Sequence, residues 1–243
     1  MNKSRLLPVV ATALVSTATV LGGEPNPNPW TVDVSLYGLA AGMSGDVTVR
    51  GFTSDLDVGF DKVWDNLEFC AMGTVRVGYE RWALNTDVIF MGLGASKGGI
   101  SADLDQWVVE PSLSYRFCQE FEMLAGARYN NISGELRGPG ILPTPVVPTG
   151  TQEWWDPIVG ANVRLPLFSK LSFNVRGDIG GFGVGSDLTW QAFPYLSWQF
   201  TRLASLQAGY RWVYTDYETG SGLRRFAYDV LTQGPQVGFT LHF

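Results

Sequence analysis

Histidine is almost absent from this chain: its one copy, His242, stands next to the last residue. Chemistry that depends on a histidine base therefore has a single candidate at the very terminus, and a zinc centre has no cluster of ligands to draw on. Cysteine is nearly as scarce, with Cys70 and Cys118 alone, so no disulfide framework is available. Basic residues are short as well, 17 Lys and Arg against 23 Asp and Glu. Nucleic-acid binding rests on clustered cations and is not expected of such a chain. Beyond residue 21 no apolar run approaches the ~20 residues of a transmembrane helix. No cofactor is expected.

What the chain does have begins with a short apolar run. Lys3 and Arg5 precede an uncharged segment from Leu6 to Leu21, and Gly22-Gly23 follows. This reads as a signal peptide over residues 1–23, too short and too rich in Ser and Thr for a membrane anchor. Its removal brings the net charge to about −8. A Pro/Asn linker covers 24–29, and 30–243 forms one domain rich in Gly and aromatics, with 29 Gly, 9 Trp, 9 Tyr and 14 Phe.

The last seven residues alternate, with Val237, Phe239, Leu241 and Phe243 on one face and Gly238, Thr240 and His242 on the other. The same period runs through ten segments, about 30–42, 69–80, 82–95, 103–117, 121–136, 152–166, 170–184, 187–200, 203–218 and 226–243. Leu171, Phe173, Val175 and Ile179 alternate with Ser172, Asn174, Arg176 and Asp178, and Leu206, Ala208, Tyr210, Trp212 and Tyr214 alternate with Gln207, Gly209 and Arg211. These strands exceed the ~9–11 residues needed to cross a bilayer at a tilt, and the ~5–6 usual in a soluble sandwich. Tight turns at 80–82, 118–120, 167–170 and 201–202 alternate with longer connections at 43–68, 96–102, 137–151 and 219–225; the connection at Gly185-Ser186 is short. The pattern predicts an all-β, transmembrane, antiparallel up-and-down barrel in the Gram-negative outer membrane. Trp30, Tyr79, Trp82, Phe117, Trp198 and Phe243 fall at the turn side, and Trp107, Tyr129, Trp190 and Tyr214 at the loop side, where interfacial girdles belong.

Three local features stay open. Segments 46–50 and 55–60 form either an extracellular hairpin or two further barrel strands, giving ten or twelve. Asp61 as N-cap, with Val63, Trp64 and Leu67 at helical spacing, gives either a short helix or a plain turn. In the last strand the apolar set changes parity between Tyr228-Val230 and Val237, and a bulge at Gly234-Pro235 would restore it.

The conjunction of Trp154-Trp155-Asp156-Pro157-Ile158-Val159-Gly160-Ala161, the segment Arg176 to Gln191, Gly209-Tyr210-Arg211 and Tyr228-Asp229, with Leu36-Tyr37 and the 42–69 region, resembles a family of proteobacterial outer-membrane β-barrel proteins of unassigned function. The resemblance implies a barrel and carries no catalytic residue. The Pro-rich stretch 139–148 departs from it as an extracellular-loop insertion.

Barrel hydrolases depend on histidine, and His242 lies at the periplasmic terminus, far from the outer mouth, so no catalytic residue is expected. The glycines at 92–94 and 180–185 lack the spacing of a phosphate loop and suit barrel bending instead. Cys70 and Cys118 map to opposite ends of the wall, beyond the ~7 Å that a disulfide allows, and are expected to be free thiols. By parity Arg76, Glu80, Asp87, Glu110, Arg116, Arg128, Arg164, Arg176, Asp178 and Arg211 face the lumen. Charges there either pair into a plug or line a passage in which arginines draw anions. The expectation is a narrow porin-like channel for small, anionic solutes; the alternatives are a structural envelope barrel plugged by salt bridges, or surface binding through the loops. Expected partners are outer-membrane lipid, lipopolysaccharide and the barrel-assembly machinery, the last reading the terminal Phe243.

Overall fold

The computed structural model describes residues 29–49, 51–97, 100–137 and 150–243. The signal-peptide segment, the linker to residue 28 and the Pro-rich stretch lie outside the described residues. The elements in chain order are β1 (Trp30–Leu39), β2 (Gly42–Val49), β3 (Phe52–Val58), α1 (Phe60–Asp65), β4 (Leu67–Tyr79), β5 (Trp82–Lys97), β6 (Ile100–Arg116), β7 (Phe121–Arg137), β8 (Gly150–Phe168), β9 (Leu171–Gly181), β10 (Leu188–Gln199), β11 (Ala204–Thr219) and β12 (Phe226–His242).

Ten strands close a ring, β1-β4-β5-β6-β7-β8-β9-β10-β11-β12, with β1 paired to both β4 and β12 and every pair antiparallel. Closure pairs each strand of the ring on both sides, which is what a sheet needs inside a bilayer. The last residue takes part, since Phe243 N–H donates to Val32 O at 2.8 Å and its carbonyl accepts from Val32 N–H at 3.1 Å. The choice between ten and twelve resolves as ten barrel strands plus the β2–β3 hairpin. β2 continues β1 along the upper part of β12 in the same register, Leu39 facing Gln236 and Gly42 facing Gln233. The helix forms as α1, but Asp61 falls in its first turn rather than at the N-cap. Val63 is its buried anchor.

Outward positions carry the apolar set. Leu84, Leu113, Val159, Leu196 and Val237 are 44–60% exposed. A contiguous apolar band of this kind is foreign to a soluble surface and normal against lipid. Aromatic contacts rim it at both ends: Trp30–Tyr79 and Trp82–Tyr115–Phe117 on the turn side, Phe90–Trp107, Tyr129–Trp155 and Trp190–Tyr214 on the loop side. Above the upper rim Arg225 forks onto Glu218 at 2.8 and 3.0 Å and holds that carboxyl below its usual pKa.

The expected bulge at Gly234-Pro235 is absent. β11 and β12 keep one register from Ala204–Leu241 to Thr219–Phe226. Tyr228 and Val230 change face because the outer third of the lumen is itself apolar: Val230 and Ile158 are fully buried, and Trp154 stacks on Tyr217 at 4.0 Å and meets Tyr228 at 6.3 Å. Glu80 also departs from expectation. It occupies the β4–β5 turn with φ 53° rather than the lumen wall.

Cys70 lies in the upper part of β4 opposite Met91, and Cys118 in the β6–β7 turn; both are free and exposed. Replacing both by serine permits a topology test on whole cells. A cysteine at Ser221, in the β11–β12 loop, is expected to react with a membrane-impermeant maleimide, and one at Ser169 to stay unmodified. Labelling at Ser169 alone would invert the orientation.

Candidate functional site

Period-2 strands in a closed ring aim half their side chains at a shared axis, and here that axis is filled at mid-height by charge. Arg128 on β7, 1% exposed, donates from Nε and Nη2 to Glu110 on β6 at 2.9 and 2.7 Å. It also donates from Nη2 to Asp178 on β9 at 2.6 Å, and from Nη1 to Thr189 Oγ1 on β10 at 2.8 Å. Arg176 on β9 reaches across to the second Glu110 oxygen, and its Nε lies 3.7 Å from Asp178. Each carboxylate is thus held between two guanidiniums.

Below this cluster, Arg211 on β11 donates to Asp87 on β5 at 2.9 Å, to Tyr37 OH at 3.1 Å and from Nε to Gln191 Oε1 at 2.9 Å. Asp87 also accepts from the Tyr37 and Thr74 hydroxyls, each at 2.7 Å. Gln191 Nε2 donates to Asp178 at 3.2 Å and joins the two groups into one network. Arg76 on β4 forks onto Glu122 on β7 at 2.9 and 2.6 Å, and Asn162 supports the same carboxylate at 3.1 Å. Four arginines therefore face four carboxylates. Contacts such as β11 to β5 and β9 to β6 cross the lumen between strands that are not neighbours.

Glycine makes room for the network. A Cβ at Gly160 would lie 2.6 Å from the Asp178 Cβ and 2.3 Å from Gly177 O. At the outer end the short β9–β10 connection turns through Gly181 (φ 88°) and Phe182 (φ 53°) and is pinned inward by Asp156. That fully buried carboxylate accepts from Ser186 N–H at 2.6 Å, Ser186 Oγ at 2.7 Å, Trp154 Nε1 at 3.0 Å and Asn130 Nδ2 at 3.3 Å.

Toward the turn side the lumen widens into a cavity of about 790 Å³. Its floor is the underside of the network, including Arg76, Asp87, Arg176 and Arg211, and its mouth opens among the turns at Cys118–Phe121 and Phe168–Leu171. Arg116 and Arg164 lie here, exposed, rather than in the buried network. His242 bridges β12 to its neighbours on the cavity wall, with Nδ1 2.8 Å from Asp33 Oδ1 and Nε2 2.9 Å from Ser205 Oγ. The order of these contacts is that of a hydrolytic triad, but β11 is paired on both edges at Ser205, with Gln199 and Thr240 opposite. Its backbone is committed to the two ladders. The arrangement is a polar clamp between the first strand and the last two.

The outer-membrane protease OmpT of Escherichia coli superposes with a TM-score of 0.51 at 8% identity, over 90% of this chain and 98% of that one. The fold is that of an outer-membrane β-barrel. An outer-membrane channel of Pseudomonas putida F1 matches at 12% identity over 91% of this chain and 99% of that one, TM-score 0.41. The attachment invasion locus protein Ail of Yersinia pestis matches at 10% identity over 88% and 99%, TM-score 0.37. No protein-family model and no curated protein matches the chain.

Of the lumen positions read by parity, Arg76, Asp87, Glu110, Arg128, Arg176, Asp178 and Arg211 meet in the network, and Arg116 and Arg164 do not. Glu122 was overlooked although it shares the parity of Arg128, and so was Asp156, which shares that of Trp154. Asp33 meets His242 only through ring closure, a contact across 209 residues with no local signal, whereas Ser205 meets it across the β11–β12 hairpin.

Removing one partner of a buried pair strands the other. Arg128→Gln leaves Glu110 and Asp178 short of a counter-charge, and barrel stability is expected to fall by ~3–5 kcal/mol. Urea titration followed by the heat-modifiable shift on gels measures it. An unchanged midpoint would mean that the pair is hydrated.

Proposed function

We propose that this protein is a non-enzymatic outer-membrane barrel held shut, a structural envelope protein whose lumen is sealed at mid-height and which presents a polar chamber to the periplasm. The observation that carries the reading is Arg128, buried between Glu110 and Asp178, with Arg176 on β9 bonded to the same Glu110 on β6. A passive anion channel needs arginines with unspent charge along its constriction. At this constriction every arginine is matched. The apolar stack of Trp154, Tyr217 and Tyr228 adds a second closure above it. In this reading the narrow passage is reached only when the network parts, so the barrel is at most gated.

Planar bilayers separate the alternatives. Wild-type protein is expected to give no steady current, and the Arg128→Ala/Arg176→Ala/Arg211→Ala/Trp154→Ala barrel to conduct, because the bonds across the constriction and the aromatic closure above it are lost together. A steady, anion-preferring wild-type current would instead establish the open channel.

The reading extends to assembly. Lipid and lipopolysaccharide surround the apolar band, and the assembly machinery recognises β12 through Phe243, which stands exposed at the lower girdle. Deleting Phe243 removes that aromatic and both of its bonds to Val32. Outer-membrane levels of the truncated protein are expected to drop several-fold on immunoblots. Wild-type levels would release Phe243 from the role.

A further inference from the structure

We propose that the periplasm-facing chamber is a binding site for a small soluble oligoanion, a di- or tricarboxylate or a phosphate compound. Unspent positive charge gathers at its mouth. Arg116, Arg164 and Lys170 line the chamber, and no described carboxylate lies within ion-pair distance of any of them. The lining acids are mostly committed: Asp33 to His242, Asp87 to Arg211 and Glu122 to Arg76. Glu120 at the rim is the one lining carboxylate without a described cationic partner. Arg164 lies on β8 at the same parity as the lumen-facing Asp156 and Asn162, and it lines the chamber.

A second observation points the same way. Ser112 in the chamber wall is 3% exposed, and its Oγ, a hydroxyl able to donate to an anion, has no hydrogen-bond partner among the described residues. Buried polar atoms are ordinarily paired, so this hydroxyl holds a donor in reserve. Phe193 and Tyr195, stacked at 4.6 Å, supply a flat apolar wall beside the cations. A volume of about 790 Å³ suits a small molecule and not a polymer. Chloride would satisfy the charge but not the hydrogen-bonding wall, which is why the ligand class is polyatomic.

The inference rests on the closed-lumen reading, because a chamber with a sealed floor retains a solute that a through-pore would pass on. Calorimetry on the mature protein in detergent tests it independently of conductance, at constant ionic strength set with chloride. Citrate and pyrophosphate serve as probes for the two anion chemistries. Saturable one-site binding of either is expected, at least tenfold weaker in the Arg116→Gln/Arg164→Gln/Lys170→Gln protein, with an unchanged heat-modifiable shift showing that the barrel is intact. Ser112→Ala is expected to weaken the same probe without altering the shift. Linear heats of dilution for both probes in wild-type protein would overturn the proposal, as would equal affinity in the triple variant.

Discussion

A guanidinium with almost no access to water must find its counter-charge inside the protein, and Arg128 does so between Glu110 and Asp178. This requirement organises the barrel. The cost of carrying ions out of water is several kcal/mol each, and it is offset only where geometry is close and the remaining donors are occupied. Here Thr189 takes the spare Nη1, Gln191 links Asp178 to Arg211, and Tyr37 and Thr74 complete Asp87. Such satisfaction is possible only if opposite walls stand within a side chain's reach. A ring of ten strands, little wider than the eight-stranded barrels whose interiors are filled by side chains, meets that condition. Network and strand number constrain each other.

The lumen is graded along its axis. Near the outer end it is apolar, with Ile158, Val230 and the Trp154–Tyr217 stack; at mid-height it is charged and balanced; toward the periplasm it is polar and open. The gradient explains why strands of uniform construction carry different inward residues at different heights. β12 shows it most clearly, passing from Val230 through Gln236 and Thr240 to His242 on a single face.

That gradient also marks the limit of what could be read from the residues alone. Alternation located the ring, the tight turns and the girdles, because a lipid-facing position has to be apolar at every second residue. It failed at Tyr228 and Val230, where apolar was equated with outward, since periodicity says which residues share a face and not which solvent that face meets. Charged lumen positions were legible for the same reason that lipid positions were. Their pairings were not: Arg211 with Asp87 and Arg176 with Glu110 depend on which strands oppose one another across the ring. The clamp of Asp33, His242 and Ser205 was invisible for a related reason, because the first and last strands meet only on closure.

Closure leaves upper edges on both sides of β1, and the one on β12 is covered. β12 has 17 residues and β1 only 10, so the upper part of β12 would offer unpaired backbone groups above the point where β1 ends. β2 fills that place without a change of register, and β3 folds back beside it, which moves the exposed edge outward to β3. Edge strands invite pairing with other chains unless something opposes it. Along this edge Asp55 faces Asp46, Asp46 faces Asp229 and Asp229 faces Asp216, a row of aspartates across four strands above the upper girdle. Like charges directly opposite one another weaken a sheet, and are tolerated where water screens them. The row thus sacrifices some stability in the one part of the wall that does not face lipid, and in return sets a negative field against a strand approaching the open edge.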